Sequence, residues 1–480
     1  MNWSPPCGDN NRFDHEATAE AIRNRGLLLL RIELGGEGIG DDRVRDVIGQ
    51  ARKLGARKIL LQGEPTIHPG IAELIRFIRG LEIDVELITK GRGIDGELAR
   101  FFGENGVALI LDAGGRPDAI RDFMTGGKGK EGDARKACDE LIAAGYPAPD
   151  KPLAVAAAIC RGTVDVIPTF WQWLRDRRIR PCFETCRAPG SSGEGDLADA
   201  AVETAESPPE RVESLFLRLS EIDRERYGRE WTPRPPLAGG RCLCLPVSCL
   251  IDLSGDVRPC AGVPIIVGNV RREPLAEILR DSEVLKDFRE PGKTIRGPCA
   301  ECALRLECYG CRGSAFAGTG DFLASDPGCW KNRDKLDRIE RLPIPAGRVV
   351  PHGKPMLVID TLLSVVERRA VAAVTVPAKG PFVSEEGALE RHAYPELVAQ
   401  AIAAMNGFRQ LGSKEEHKGV LLGIKSFRIF GTAARGDTLT VSVFKAERFG
   451  NFGIVEGEVA RDGVLLAKGE IKVWKNEKES

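Results

Sequence analysis

The chain has 480 residues, 69 of them basic and 70 acidic, for a formal net charge of −1, and 42% are hydrophobic. That length allows two to three domains with buried cores, and the charge balance excludes a field that would draw the chain to nucleic acid or to an anionic membrane. The first residues, MNWSPPCGDNNRFDHE, are polar, and the one leucine run, Leu27 to Leu30, is far too short to span a bilayer. The expectation is a cytoplasmic protein whose thiols stay reduced, so that clustered cysteines point to metal rather than to disulfides.

Residues 27–186 alternate between short apolar runs and amphipathic stretches. LLLLRIEL (27–34) predicts a strand. From Asp41 to Leu54, Val44, Val47, Ile48 and Ala51 share a helical face. KILLQG (58–63) predicts a buried strand ending in glycine, and IAELIRFIRG (71–80) a helix with Ile71, Leu74, Ile75 and Ile78 on one side. VELITKG (85–91), VALILDAGG (107–115), LAVAAAI (153–159) and RPCFET (180–185) repeat the strand signal, with EGDARKACDELIAAGY and TVDVIPTFWQWLRDRR as intervening helices. Such alternation implies parallel pairing and right-handed crossovers, in an α/β barrel or doubly wound sheet. Six strands favour a partial (β/α)6 TIM-type barrel. Cys138 and Cys160 read as core thiols, and Trp171 and Trp173 as packing residues.

Residues 187–205 are small and acidic, and a helix is predicted over 208–227. Nine of the fourteen cysteines then fall between Cys242 and Cys329, where even scatter would put about three. The core of the pattern is Cys299-x2-Cys302-x5-Cys308-x2-Cys311, then Cys329, with Cys242, Cys244, Cys249 and Cys260 upstream. Thiolates this close in sequence can converge on one centre, and soft sulfur selects zinc or iron–sulfur clusters. C-x2-C pairs also occur as zinc knuckles, but nine cysteines with no histidine in the window suit two clusters better. Pro343, Pro345 and Gly347 mark a linker. Beyond it, PMLVIDTLLSVVERRAVAAVTV predicts two antiparallel strands, residues 394–411 a single apolar helix with Leu397, Ala401, Met405 and Phe408 on one side, and LLGIKSFRIF, DTLTVSVFKAERF, FGIVEGEVAR and LLAKGEIKVW four further strands. One helix wrapped by a curled antiparallel sheet is α+β.

The segment from Cys242 to Trp330 resembles the SPASM extension of radical SAM enzymes. The matching features are Gly255-x4-Cys260, the cysteine run from Cys299 to Cys311, Cys329, and the stretches CYGCRGSAFAGTGDFLASDPGCW (308–330) and GNVRREPLAEILRDSE (268–283). The resemblance implies two auxiliary 4Fe–4S clusters, one on Cys242, Cys249, Cys260 and Cys311, the other on Cys299, Cys302, Cys308 and Cys329. Cys244 is then spare, or an alternative to Cys242. The family's spacing before the last cysteine of the run is three residues; here it is two.

QGEPTIHP (62–69) resembles the GGEP-type motif of radical SAM barrels, and Thr89-Lys90-Gly91 the family's Thr-Asn-Gly. The likeness covers residues 20–330 and implies that S-adenosylmethionine is held by Gly63, Glu64 and Pro65, with Thr89 and, on the ribose side, Asp112. One departure stands out. The family's C-x3-C-x2-C loop should follow the first strand, yet residues 35–40 read GGEGIG, and Cys182-x3-Cys186 has Pro189 where a third cysteine would stand. The expectation is that the standard SAM-cleaving cluster is missing, either because the barrel serves as a scaffold or partner-docking body or because a short segment has been lost. IELGGEGIG (32–40) also resembles the first motif of Rossmann methyltransferases, an alternative for the N-terminal half.

Residues 350–480 resemble hotdog-fold dehydratases acting on 3-hydroxyacyl carrier proteins, through PHGKPMLVID (351–360), YPELVAQAIAAMNGF (394–408) and FGIVEGEVARDGVLLAKGEIKVW (452–474). The family's glutamate early on the central helix is matched by Glu396. Its histidine slot holds Phe382, leaving His392 and His352 as candidates. The expected organisation is a radical SAM-like partial barrel (20–190), a linker and helix (191–240), a SPASM-like iron–sulfur extension (241–342) and a hotdog dehydratase-like domain (350–480). The implied partner is an acyl carrier protein or a peptide, and hotdog sheets pair across an edge, so a homodimer is expected.

Overall fold

The structure is a computed structural model that describes residues 13–36, 38–126, 132–185, 206–235, 245–305, 308–411, 419–449 and 451–475. Cys186, the acidic stretch 187–205, Cys242 and Cys244 lie outside the described residues. The chain divides into two compact units, residues 1–317 with 325–336 and residues 318–324 with 337–480.

In the first unit six strands pair in parallel, each beside its predecessor in the chain: β1 (Leu29–Leu34), β2 (Lys58–Gly63), β3 (Asp84–Thr89), β4 (Ala108–Asp112), β5 (Leu153–Ile159) and β6 (Arg180–Thr185). Helices connect them, among them Asp41–Lys53, Ile71–Gly80, Gly96–Glu104, Pro117–Thr125, Gly132–Ala143 and Ile167–Asp176. Because strand side chains alternate between faces, Ile32, Leu61, Leu87, Leu109, Val155 and Phe183 all enter the core shared with the helices. The opposite face carries Arg31, Glu33, Gln62, Glu86, Asp112 and Arg180. There Glu86, 1% exposed, lies 3.8 Å from the Arg180 guanidinium.

Among the helices that escape the periodicity reading are His15–Arg23, Gly96–Glu104 and Pro117–Thr125. Their start signals are nonetheless local. Asp14 accepts from the Ala17 amide at 2.7 Å, Asp95 accepts from Glu97 and Leu98 at 3.1 and 2.8 Å, and Pro117 occupies the first helical position.

The described part of the cysteine-rich stretch joins the same sheet from Ser248. β7 (Ser248–Ile251) pairs in parallel with β1 on the side away from β2, and β8 (Asp256–Arg258) and β9 (Gly268–Asn269) follow antiparallel. Helix Pro209–Tyr227 is anchored by Asp223, fully buried, which accepts from Trp171 Nε1 at 2.9 Å, Arg175 Nε at 3.0 Å and Trp231 Nε1 at 3.0 Å.

The second unit is the predicted helix-and-sheet pair. Strands β10 (Ile344–Pro345), β11 (Thr361–Val366), β12 (Arg369–Thr375), β13 (Gly419–Ile429), β14 (Thr438–Phe449), β15 (Phe452–Arg461) and β16 (Val464–Lys475) form one antiparallel sheet in the order β10-β11-β12-β14-β15-β16-β13. It packs on helix Ala393–Gln410, whose Leu397, Val398, Ala401, Met405 and Phe408 are buried. β13 is an edge strand whose Val420, Leu422 and Ile424 stay about half exposed. Among the described residues no helix is long and apolar enough to cross a membrane.

Candidate cofactor and catalytic sites

β2 ends at Gly63 with φ +86°, where a Cβ would lie 2.6 Å from the Leu34 carbonyl oxygen. The Glu64 amide donates to that same carbonyl at 2.9 Å, which ties the end of β2 to the end of β1. Glu64 itself is half-buried, and its Oε2 is buried without a hydrogen-bond partner. Pro65 opens a short 3-10 turn, Pro65–Ile67. In it Thr66 Oγ1 meets Thr89 Oγ1 at 2.8 Å, and Thr89 also accepts from the Gly91 amide at 3.0 Å. Asp112 accepts from the Gly114 amide at 2.8 Å. Gly63, Glu64, Thr89 and Asp112 thus stand at the carboxyl ends of three adjacent parallel strands, where open α/β sheets bind ligands.

A buried carboxylate oxygen with no donor is costly, and an ammonium is its complement. This part of the site fits the amino group of S-adenosylmethionine. The donor set for a SAM-cleaving cluster does not fit, because the segment after β1 offers only Gly35, Gly36, Glu37, Gly38, Ile39 and Gly40 and no thiol. Beside it, burial raises the Glu33 carboxyl above its ordinary range, opposed by a hydrogen bond from Gln62 at 3.2 Å.

The cysteines from 299 onward have another character. Asn332 Nδ2 donates to Cys299 Sγ at 3.2 Å, the Leu304 amide to Cys302 Sγ at 3.5 Å, the Gly310 amide to Cys308 Sγ at 3.4 Å and the Ser314 amide to Cys311 Sγ at 3.3 Å. N–H groups aimed at sulfur are what metal-bound thiolates need around them. Burial pushes the Cys308 thiol up to about 11, with the charges of Cys299 and Asp326 adding to it. Burial likewise raises Cys329, and Asp326, Cys299 and Cys308 add. Cys308 and Cys329 line one pocket with Asp326 and Thr185. Among the described residues no three Cys, His, Asp or Glu side chains are grouped so as to hold a metal ion. Cys260 is half-buried in a backbone bridge with Val263. Cys249 lies in β7 within the apolar core, where burial pushes its thiol up to about 12.

In the second unit Glu396 stands in the first turn of helix Ala393–Gln410, half-buried, and accepts from Gln400 Nε2 at 2.9 Å. Gln400 is fully buried. Its Nε2 also donates to the Met356 carbonyl at 2.7 Å, and its Oε1 accepts from the Val358 amide at 2.9 Å. One amide thus fastens the 356–358 segment to the helix that carries Glu396. His352, four residues before Met356, keeps a buried Nδ1 with no partner. His392 is exposed at the helix start, with Nε2 3.3 Å from the Pro381 carbonyl and its ring against Phe382.

Residues 242–303 match SPASM, an iron–sulfur cluster-binding domain, and residues 344–480 match the ApeP-like family, described as ApeP dehydratase. The chain joins a radical SAM/SPASM-type half to a dehydratase-like hotdog domain. Relatives include an AdoMet-dependent heme synthase of Methanosarcina barkeri, 23% identical over 312 residues, 60% of this chain and 86% of that one. A PqqA peptide cyclase of Streptomyces rochei is 28% identical over 329 residues, 64% of this chain and 86% of the relative. Among solved structures, the ApeI:P dehydratase heterocomplex from Xenorhabdus doucetiae is 28% identical, covering 28% of this chain and 93% of that one at a TM-score of 0.26. The AdoMet-bound anSMEcpe is 15% identical, covering 65% and 93% at 0.49. The SPASM match takes in Cys242, Cys249, Cys260, Cys299 and Cys302, and the ApeP-like match takes in His352, His392 and Glu396. Asp326, Asn332 and Gln400 were not legible as site residues from sequence; a lone glutamine in the apolar run PELVAQAIAAM was the one available signal.

Proposed function

We propose that the chain is an iron–sulfur protein that retains the S-adenosylmethionine-facing strand ends of its relatives, has lost the cluster that cleaves this cofactor, and carries a hotdog domain that dehydrates 3-hydroxyacyl thioesters on a carrier protein. The observation that carries the first part is the contrast between two stretches. Residues 299–332 aim N–H groups at four sulfurs, while the segment after β1 has none to aim at. Two auxiliary clusters are proposed, on Cys242, Cys249, Cys260 and Cys311 and on Cys299, Cys302, Cys308 and Cys329. Nine cysteines between Cys242 and Cys329 with no histidine among them suit two multi-iron clusters better than zinc. The parallel sheet is proposed to curl as a partial barrel, with Gly63, Glu64, Pro65, Thr89 and Asp112 lining its open end. Bound S-adenosylmethionine would supply an ammonium for Glu64.

In the hotdog domain the reaction breaks the C2–H and C3–O bonds, forms the C2=C3 double bond and releases water. It needs a base at C2 and an acid for the leaving hydroxyl. Glu396 is proposed as one of these. His352 is proposed as the other in preference to His392, because Gln400 fastens the segment just after His352 to the glutamate's helix, while His392 faces Pro381. The half-exposed apolar edge of β13 is proposed to pair with a second copy.

After anaerobic reconstitution, about eight irons per chain are expected, two clusters of four, with S-adenosylmethionine left intact under strong reductant; release of 5′-deoxyadenosine would refute the loss of the cleaving cluster. Dehydration of a 3-hydroxyacyl thioester should fall by about 10²–10⁴-fold in Glu396→Ala and in His352→Ala but not in His392→Ala. Equal turnover in Glu396→Ala excludes that residue.

A further inference from the structure

The cysteine run is held together by two polar side chains that are not thiols. Asp326, 5% exposed, accepts from the Cys311 amide at 2.8 Å and the Ser314 hydroxyl at 2.8 Å at the start of helix Arg312–Thr319. It also accepts from the Gly328 amide at 2.9 Å, next to Cys329. Asn332, 3% exposed, donates to Cys299 Sγ at 3.2 Å and to the Asp326 carbonyl at 2.7 Å. Gly310, at φ +67°, leaves space for this packing, since a Cβ there would lie 2.8 Å from the Asp326 Cβ and 3.4 Å from Cys299 Sγ. Asp326 and Cys299 thus belong to one buried polar unit that spans three separate cysteine-bearing segments. The unit also contains a counter-charge, the buried Arg312, whose Nε donates to the Gly310 carbonyl at 3.4 Å.

A buried carboxylate beside a cluster disfavours adding an electron to it, and an N–H donor to a ligating sulfur favours it, because reduction adds negative charge to the iron–sulfur core. We propose that Asp326 and Asn332 are opposing positioning residues for the cluster on Cys299, Cys302, Cys308 and Cys329: Asp326 lowers its reduction potential and Asn332 raises it, while the two lock its ligand segments together. This rests on the cluster reading given above. It adds that the chain sets the potential of this one cluster with two side chains that bind no iron.

The test uses the full chain, reconstituted anaerobically with iron and sulfide. Midpoint potentials are read by EPR during chemical reductive titration, on the wild type, Asp326→Asn and Asn332→Asp, with iron content measured on each sample. The expected result is a shift of one cluster signal to higher potential in Asp326→Asn and to lower potential in Asn332→Asp, larger in both than any shift of a second signal. If Asp326→Asn fails to retain iron, the sign of the Asn332→Asp shift decides alone, downward supporting the inference. Unmoved potentials in iron-replete variants overturn it and leave the cluster reading standing. A wild-type chain that takes up no iron overturns the cluster reading itself.

Discussion

Glu64 in the first unit and Glu396 in the second are both half-buried and both stand at the start of a helical turn, yet their surroundings treat them in opposite ways. Glu396 is met by Gln400, whose amide is in turn satisfied by Met356 and Val358. Glu64 presents one buried oxygen to no donor at all. The second unit satisfies Glu396 from within, so that carboxylate is held in place by its own helix. The first leaves an acceptor open, and that oxygen is the one proposed to meet the ligand's ammonium. The same contrast recurs within the first unit, between Asp223 with three donors and Glu64 with a bare oxygen.

That contrast can be broken by substitution. The largest effect is expected at Asp223, where alanine would remove the acceptor shared by Arg175 and two indole N–H groups. Asp223→Ala should lose about 3–5 kcal/mol of unfolding free energy in a denaturant titration, and a loss below about 1 kcal/mol would show that closure matters little here. A smaller effect is expected at Glu64. A charge-assisted hydrogen bond contributes about 1.5–3 kcal/mol, so Glu64→Gln should weaken S-adenosylmethionine binding about tenfold or more by calorimetry, with the cofactor-free chain no less stable than wild type. Unchanged affinity would remove Glu64 from the site. The smallest effect is expected at Glu33, whose carboxyl is raised by burial. The folded chain holds that proton more tightly than the unfolded chain. Its contribution therefore favours folding at low pH and is lost as pH rises through the raised pKa. Glu33→Gln should then gain stability over wild type at neutral pH and show no gain below the usual carboxylate range; an equal gain at both would contradict the sign.

Strong local patterns were legible in the sequence. KILLQG, IAELIRFIRG, LAVAAAI and RPCFET became elements with the same bounds as their apolar runs, because each buries one continuous face. Helices Gly96–Glu104 and Pro117–Thr125 were missed because they are short and, in the first, interrupted by Gly103; only Asp95 and Pro117 announced them. The pairing of β7 with β1 joins residues more than two hundred positions apart, and no local pattern encodes such a partner. The strand-end residues Gly63, Glu64, Thr89 and Asp112 could be proposed from their motif and place. The roles of Asp326, Asn332 and Gln400 depend on which amide or sulfur each meets, which only the folded chain specifies.

The parallel pairing of β7 with Leu29 through Ile32 of β1 carries a practical lesson for anyone dissecting this protein. The first strand of the thiol-rich stretch is also the seal on an otherwise naked, oily sheet margin. A truncation ending near residue 240 would strip that seal and present β1 as a template for stray chains. Solubility of the front half and possession of its metal-binding sulfurs are therefore inherited together, and neither can be purified away from the other.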